Sequence, residues 1–384
     1  MKRVAKYLIV AAVLLLAAAL VWSAGGPGEE KAGGKVIKIG YTAPFTGSAA
    51  EFGTNGWRGI QLALEEINAA GVKVKGETYK VEIVRYDSKC EPTEAVANMR
   101  KLALEDKVVG VLGDHCSSCC RGIAPLATEY KIPSITIECA ADNVTSPGQE
   151  YYFRMRPSMG LMAPLAGPKI LKLTGAKKVG YLGVNDDYGR SFNKSFQDQF
   201  AKVGVSTAVE IYFERGNTDF MAFLNQLKAA KPDIVLYVGT ASEGAMILKQ
   251  AQEIGITPGI KFIGSEEMGE MELVSLAGAE AVDGTYAVAL WGAVASDFEK
   301  KVKDKFNAPM HYAIIFGYDA LKVMVDAIVR AQSLDTVAIK DALLKTDYQG
   351  LEGKIKFETF ENFRNQGRYV PSFIQWKDGK RVAM

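Results

Sequence analysis

The sequence predicts an α/β protein of two lobes, each built on a mainly parallel sheet flanked by helices. The chain has 384 residues, which is more than one ordinary hydrophobic core organises. From Val36 onward, short β-branched runs alternate with segments of helical periodicity, the pattern of a parallel sheet covered by helices. The alternation restarts after "RMRPS" at 154–158, so we expect two such units.

The first unit begins with the strand "VIKIGYTAPF". A helix over 57–70 follows, because Trp57, Ile60, Leu64 and Ile67 share one helical face, and Gly71 ends it. The strands "VEIVRYD", "KVVGVLG" and "PSITIE" then alternate with helices expected over 93–105 and 119–130.

The second unit repeats this alternation. Its expected strands are "KKVGYLGV", "STAVEIYF", "DIVLYVG" and "KFIG", and its expected helices cover 161–174, 190–203, 219–230 and 243–254. After the run "GTYAVAL", helices are expected over 296–306, 313–332 and 336–346, and the tail reads as strands broken by turns. Asp378-Gly379 is a hairpin signal within that tail.

The composition is that of a globular protein without a polyanionic partner. Hydrophobic residues make up 48% and charged residues 23% of the chain. The net charge is +2 and the basic residues are scattered, so no nucleic-acid partner is expected.

No motif in the chain indicates catalysis. The sequence holds no G-x-S-x-G, no H-E-x-x-H and no phosphate-binding loop. The adjacent carboxylates Asp186-Asp187 and Glu266-Glu267 suit turns and caps better than an acid/base couple. We therefore expect a protein that is not an enzyme and that needs no cofactor or metal.

Residues 1–23 predict a cleavable signal peptide. A basic start precedes the apolar run 7–22 and a stretch of small residues. That run is shorter than the roughly 20 residues that span a membrane comfortably, which disfavours an uncleaved anchor. Residues 24–35 predict a flexible leader. The first cysteine is Cys90, so no cysteine is available for a lipid anchor there, and we expect a periplasmic protein.

The stretch "GDHCSSCC", residues 113–120, allows several interpretations. Cys116 and Cys119 have the spacing of a thioredoxin-type redox pair between a strand and a helix. A zinc site needs further ligands, and the chain has only two histidines, His115 and His311.

A structural disulfide is the third interpretation of that stretch. Cys90 ends a strand one unit earlier, so it can meet Cys116 if the two strands are adjacent. That bridge would close a loop of about 26 residues, worth roughly 3 kcal/mol. Cys139 can pair with Cys119 or Cys120, or these cysteines can be buried and inert.

Ser117 and Ser118 stand where the helix after this strand begins. Their hydroxyls and the free backbone N–H groups of the first turn can bind an anion. A plain N-cap serine is the alternative. Ligands of open α/β sheets bind beyond the carboxyl ends of the strands, which directs attention to the segments 42–53, 114–120, 138–145, 185–189, 240–243 and 265–269.

The order of these motifs resembles a known family. "IKIGYTAPFTGSAAEFGTNGWRGIQLALEEINAAG", "YDSKCEPTEAVANMRKL", "GDHCSSC", "FRMRPS", "VNDDYG", "FIGSEEMG" and "FIQWKDGK" resemble, in sequence order, segments of the branched-chain amino-acid-binding proteins of ABC importers. These are periplasmic binding proteins of the Leu/Ile/Val type. The resemblance covers the chain from Val36 to its C-terminus.

The resemblance implies a type I periplasmic-binding-protein fold, with two lobes joined by three crossovers. Lobe 1 would span 36–157, completed by about 288–365, and lobe 2 would span 158–287, completed by about 366–384. It also implies a disulfide between Cys90 and Cys116.

The resemblance further implies roles for individual residues. Ser117 would bind the α-carboxylate of an amino acid, and Glu266 its α-ammonium group, with neighbouring Glu267 as the alternative. Phe52 of "AEFG" and Tyr188 of "DDYG" would contact the ligand side chain, unless they are core aromatics.

The sequence departs from the family pattern in two places. Cys139 and Ala140 stand in "ECAADNVT", among the expected ligand contacts, where a hydroxyl pair is usual. Thr240-Ala241 lacks the large aromatic of the leucine type, which implies a wider or more polar pocket.

We therefore expect a monomeric solute-binding protein that delivers an amino acid of the branched-chain class, or a related small carboxylate, to the permease of an ABC importer. Alternatives are an aromatic acid, amide or urea-type ligand, a sensor with the same fold, or a thiol oxidoreductase using Cys116 and Cys119.

Overall fold

The computed structural model describes residues 34–292, 296–360, 362–367 and 371–384. The predicted signal peptide, and the predicted leader up to residue 33, lie outside the described residues. Within the described ranges, no helix has the length and apolar character needed to cross a membrane.

The strands form two large sheets and one two-stranded sheet. In chain order they are β1 (Lys35–Ala43), β2 (Val72–Val74), β3 (Glu77–Asp87), β4 (Val111–Gly113), β5 (Ser134–Thr136), β6 (Tyr152–Arg154), β7 (Lys178–Val184), β8 (Ser206–Phe213), β9 (Ile234–Val238), β10 (Lys261–Gly264), β11 (Tyr286–Ala289), β12 (Tyr348–Gly350), β13 (Gly353–Ile355), β14 (Phe357–Phe360), β15 (Phe363–Gly367), β16 (Ser372–Lys377) and β17 (Lys380–Ala383).

The helices alternate with these strands. In chain order they are α1 (Ala50–Ala70), α2 (Pro92–Leu104), α3 (Ser117–Glu129), α4 (Met159–Thr174), α5 (Asp187–Ala201), α6 (Met221–Ala230), α7 (Ala241–Glu253), α8 (Met271–Ala277), α9 (Ala279–Val282), α10 (Ser296–Phe306), α11 (Tyr312–Ala331) and α12 (Thr336–Leu343). Single 3-10 turns cover Asp142–Val144 and Glu266–Gly269.

The first sheet has the strand order β14-β15-β6-β5-β4-β1-β3-β2. Its centre is parallel, since β4 pairs with β1 and β5, and β6 pairs with β5 and β15, all in parallel. The outer pairs β2–β3 and β14–β15 are antiparallel. The strands β3 and β4 flank β1, so the expectation that Cys90 and Cys116 follow adjacent strands is wrong.

The second sheet has the strand order β17-β16-β11-β10-β9-β7-β8. Neighbours in the run β8-β7-β9-β10-β11 pair in parallel. The pairs β11–β16 and β16–β17 are antiparallel. The predicted Asp378-Gly379 hairpin is confirmed. Both residues have positive φ (51° and 71°) and lie between the paired Lys377 and Lys380.

The chain passes between the two sheets three times. It leaves the first sheet after β6, returns after β11, and leaves it again after β15. The predicted two-lobed α/β fold with three crossovers is confirmed. Both sheets are buried among helices, and strands such as β9 are apolar throughout, as expected when both faces are covered.

Helix α1 begins seven residues before the predicted start at residue 57. Glycines in its first half lower intrinsic helix propensity, but they are needed for close packing. A Cβ atom at Gly53 would collide with the carbonyl of Pro44, and one at Gly59 with the carbonyl of Ile314 in α11. Tertiary packing therefore extends the helix beyond its apolar periodicity.

Candidate functional site

Loops at the carboxyl ends of strands from both sheets meet around one cavity. Its empty volume is about 310 Å³, counting the part open to solvent. The lining residues are Phe52, His115, Cys116, Ser117, Glu138, Tyr188, Arg215, Glu266 and Tyr312. The site therefore lies where open α/β sheets place their ligands.

Four of the seven predicted ligand contacts line this cavity, namely Phe52, Ser117, Tyr188 and Glu266. The other three, Ser118, Cys139 and Ala140, lie beside it in the chain but are not among its lining residues. Ala140 instead donates its backbone N–H to Ser117, and Cys139 is part of a disulfide.

Arg215 and Tyr312 line the cavity but were missed by the sequence reasoning. Arg215 lies two residues beyond the end of β8, so the rule that ligands bind beyond strand ends could have found it. Tyr312 begins α11 and follows no strand, so no comparable signal points to it. The segment 240–243 was expected at the cleft. It does not line the cavity, although the Ala241 N–H donates to Glu51 Oε1 of the other lobe at 3.2 Å.

Ser117 is the first residue of α3 and is buried. Its Oγ accepts the backbone N–H groups of Ala140 and Ala141, both at 3.2 Å. Because both lone pairs are engaged, its own O–H is left to donate. Among the described residues no side chain caps this helix, so N–H groups of its first turn remain available to donate to a ligand oxygen. The arrangement suits an anion.

Glu138 follows β5 and faces the cavity from the same lobe. Its side chain is 4% exposed, and its Oε2 lies 3.1 Å from His115 Nδ1. Tyr41 Oη is 2.6 Å from His115 Nε2. Glu138 Oε1 has no hydrogen-bond partner among the described residues. It is therefore a buried acceptor without a donor at the cavity.

Glu266 follows β10 and faces the cavity from the second lobe. Its Oε1 accepts hydrogen bonds from Arg156, in the first crossover, and from the Tyr188 hydroxyl at 2.9 Å. Its Oε2 has no partner among the described residues. Glu266, the predicted acceptor of the ammonium group, is thus buried. Its Oε1 is hydrogen-bonded within the protein, and its Oε2 is free to accept from a ligand.

The surroundings shift the pKa values of Arg156 and Tyr188. Burial alone would lower the pKa of Arg156, but Glu266 beside it outweighs this and raises that pKa. Burial, reinforced by the charge of Glu266, raises the pKa of Tyr188. Arg156 therefore stays charged and Tyr188 keeps its proton for donation.

Glu267, the alternative to Glu266, does not line the cavity. The Tyr312 hydroxyl donates to its Oε1, and His311 Nε2 lies 3.6 Å from its Oε2. Burial raises the pKa of Glu267. Its partners lie on α11, so it connects the turn after β10 to the other lobe.

The two lobes touch at the rim of the cleft. Arg121 Nε of α3 lies 2.9 Å from Asp187 Oδ2 of α5. The Asp142 N–H donates to Ser191 Oγ at 3.1 Å. These contacts cross the cleft, so the structure is that of a closed form.

The cysteines form two disulfides. Cys90 is bonded to Cys116, as the resemblance implies, and Cys120 is bonded to Cys139. Cys119 is free and fully buried, and burial raises its pKa. A redox thiol needs a lowered pKa and access, so the Cys116–Cys119 pair does not have the character of a redox centre. Across the described ranges, no three or more His, Cys, Asp or Glu are placed to hold a metal ion.

Two sheets, three crossovers and a cavity lined from both lobes define a binding protein of the type I periplasmic fold. Residues 36–380 match the Periplasmic binding protein family, and the chain belongs to that family. The family implies an extracytoplasmic location.

Individual relatives agree with this assignment. The chain is 33% identical over 242 residues to an amino acid binding protein of Pseudomonas aeruginosa, and the match covers 63% of each chain. It is 28% identical to the leucine-, isoleucine-, valine-, threonine- and alanine-binding protein of the same organism, over 91% of this chain and 92% of that one. The branched-chain amino acid transporter substrate-binding protein of Streptococcus pneumoniae, solved in complex with isoleucine, superposes with a TM-score of 0.81 at 27% identity. That superposition covers 91% of this chain and 99% of the other.

Proposed function

We propose that this protein captures a free amino acid, of the branched-chain class or a related small carboxylate, by closure of its two lobes. It then delivers the ligand to the permease of an ABC importer. The observation that carries the proposal is that two buried acceptors at one cavity, Glu138 Oε1 and Glu266 Oε2, have no hydrogen-bond partner among the described residues, and that the Ser117 hydroxyl, which accepts two backbone N–H groups, lines the same cavity with its own O–H free to donate.

The α-carboxylate of the ligand is assigned to Ser117 and the start of α3. A carboxylate accepts from the Ser117 hydroxyl and from first-turn N–H groups, and the helix dipole favours negative charge there. Hydrogen bonds of this kind, with one charged partner, are roughly twice as strong as neutral ones.

The α-ammonium group of the ligand is assigned to Glu266 Oε2, with Glu138 Oε1 as a second acceptor. An ammonium group carries three N–H donors, which is enough to satisfy both carboxylate oxygens. Because Glu138 and Ser117 belong to one lobe and Glu266 to the other, a zwitterion contacts both lobes. Its binding therefore favours the closed form over the open one.

The lining residues Phe52, Tyr188 and Tyr312 surround the rest of the ligand with aromatic surface. Branched-chain amino acids come first as candidates because relatives carry those names and one was solved with isoleucine. The cleft performs no chemistry. Export through the predicted signal peptide to the periplasm and action as a monomer belong to the same proposal.

Thermal unfolding of protein freed of bound ligand by unfolding and refolding tests this function. A ligand that binds only the folded state stabilises it by RT ln(1 + [L]/Kd), about 2.7 kcal/mol at a hundred times Kd. We expect leucine to raise the midpoint and its deaminated twin, 4-methylpentanoate, to leave it unchanged. If aromatic or deaminated acids raise the midpoint and amino acids do not, the ammonium assignment is wrong.

A further inference from the structure

Arg215 is a lining residue that the proposed contacts leave unused. It follows β8 and reaches the cavity from the second lobe. Its side chain is 14% exposed. Its Nη1 is buried and has no hydrogen-bond partner among the described residues.

The other side of the guanidinium is held by the protein. Arg215 Nη2 donates to Asp186, which also caps α5 by accepting the Gly189 N–H at 3.0 Å. Glu243 is a second anion nearby, and its oxygens accept the N–H groups of Gly216 and Thr240. Arg215 is therefore fixed in position with its charge balanced, while Nη1 remains available.

An aliphatic ligand would leave this donor without a partner. Closing the lobes around leucine removes water from Nη1 and supplies no acceptor, and a buried donor without a partner is costly. A ligand whose side chain ends in an oxygen acceptor removes this cost. Sites built around a polar group discriminate strongly against analogues that lack it.

We propose that Arg215 determines specificity, and that the preferred ligand carries a carboxylate or amide oxygen at the end of its side chain, accepting from Arg215 Nη1. This inference rests on the proposed function and ranks acidic amino acids and their amides above the aliphatic ones that the relatives' names suggest.

Calorimetric titration of the refolded protein separates this inference from the function on which it rests. The ligands are leucine, 4-methylpentanoate, glutamate and glutarate, with glutamine as a fifth. Comparing each amino acid with its deaminated twin tests the ammonium site. Comparing glutamate and glutamine with leucine, and glutarate with 4-methylpentanoate, tests Arg215. The glutamate and glutamine arms distinguish a carboxylate from an amide oxygen.

The variant Arg215→Met keeps an unbranched, flexible side chain, shorter than that of arginine, and removes the donor. We expect the wild type to bind the acceptor-bearing ligands at least about tenfold more tightly than the aliphatic ones. Arg215→Met should abolish that difference and Arg215→Lys should keep part of it.

Two controls separate recognition from folding. Asp186→Asn retains a side-chain cap for α5 but removes an anion that holds Arg215, so it should weaken the preference for acceptor-bearing ligands less than Arg215→Met does. Arg190→Met removes an exposed arginine of the same lobe that does not line the cavity, and it should bind as the wild type does. The unfolding midpoint without ligand shows whether each variant folds.

The inference is overturned if the wild type binds the aliphatic member of each pair as tightly as its acceptor-bearing partner. It is equally overturned if Arg215→Met and Asp186→Asn weaken all ligands alike, since Arg215 is then only the partner of Asp186. A third outcome separates the two proposals. If glutarate binds as tightly as glutamate, and Arg215→Met still removes the preference for glutarate over 4-methylpentanoate, the role of Arg215 is supported and the proposed amino-acid function is wrong. Failure of all five ligands to bind overturns both.

Discussion

Arg156 and Glu266 form an ion pair at the wall of the ligand cavity, with side chains only 1% and 2% exposed. Arg156 lies in the first crossover and Glu266 in the turn after β10. The guanidinium of Arg156 balances the charge of the buried Glu266 carboxylate before any ligand arrives. Glu266 therefore offers its second oxygen as a fixed acceptor.

Substitution Glu266→Gln tests that role. The change leaves Arg156 buried without an anion, and breaking a buried pair in this way costs about 3–5 kcal/mol of folding stability. Ligand affinity should also fall at least about tenfold, since a charged acceptor is lost. Titration calorimetry and thermal unfolding measure the two effects separately.

Glu267→Gln is the matched control. Glu267 does not line the cavity, and the amide oxygen of glutamine can still accept the hydrogen bond that Tyr312 donates, so affinity should change little. Equal losses in both variants would contradict the assignment.

The two serines at the start of α3 should differ in their contribution to binding. Ser117→Ala removes the donor for the ligand carboxylate and the acceptor for two backbone N–H groups. We expect a loss of about 1–3 kcal/mol in binding free energy, with a smaller drop in the unfolding midpoint. Ser118 is half-buried and does not line the cavity, so Ser118→Ala should bind normally. If Ser118→Ala weakens binding as much as Ser117→Ala, the assignment of the ligand carboxylate to the Ser117 hydroxyl is wrong.

Thiol counting tests the disulfide pattern. Protein unfolded without reductant should show one reactive thiol, from Cys119, and unfolded with reductant it should show five. Cys119→Ala should reduce the first count to zero.

The bridges close loops with sequence separations of 26 and 19 residues, so each should stabilise the fold by roughly 3 kcal/mol. Reduction should lower the unfolding midpoint accordingly. Three free thiols before reduction would exclude one of the bridges.

Asp319 of α11 predicts a pH dependence of stability. Burial raises its pKa to about 7, although the Leu351 N–H donates to it. The value for an unfolded chain is about 3.9. In that window the folded state binds a proton that the unfolded state does not, so stability falls as pH rises from about 4 to about 7. Asp319→Asn should flatten the profile between about pH 4 and about pH 7 and stabilise the protein at the upper end. The control Asp326→Asn leaves Asp319 in place and should keep the wild-type slope. An unchanged slope in Asp319→Asn would show that other groups carry the dependence.

The two-lobed α/β architecture could be predicted from the sequence because short β-branched runs and segments of helical periodicity alternate along the chain. Boundaries were less accurate where packing overrides propensity, as in the glycine-containing start of α1. The direction of the strands, and hence the edge where the loops meet, follows from the parallel arrangement. The position of β1 between β3 and β4 does not, since strand order depends on long-range pairing.

The site was predicted where a residue lies within a few positions of a strand's carboxyl end and belongs to a recognisable family motif, as for Ser117 and Glu266. Arg156 had been noted only as part of a boundary segment, because sequence gives no sign that a crossover arginine turns inward. The choice between Cys119 and Cys120 as the partner of Cys139 was likewise open. Neighbouring residues on a helix point about 100° apart, and the packing of α3 decides which one faces Cys139.

A crystal structure grown with the amino acid that raises the unfolding midpoint most tests the central claim, that the cleft holds a zwitterion between the two lobes. We predict a carboxylate oxygen about 2.7 Å from Ser117 Oγ and the ammonium nitrogen about 2.9 Å from Glu266 Oε2. A ligand whose ammonium group contacts neither Glu266 nor Glu138, or whose carboxylate lies away from the start of α3, would contradict the account.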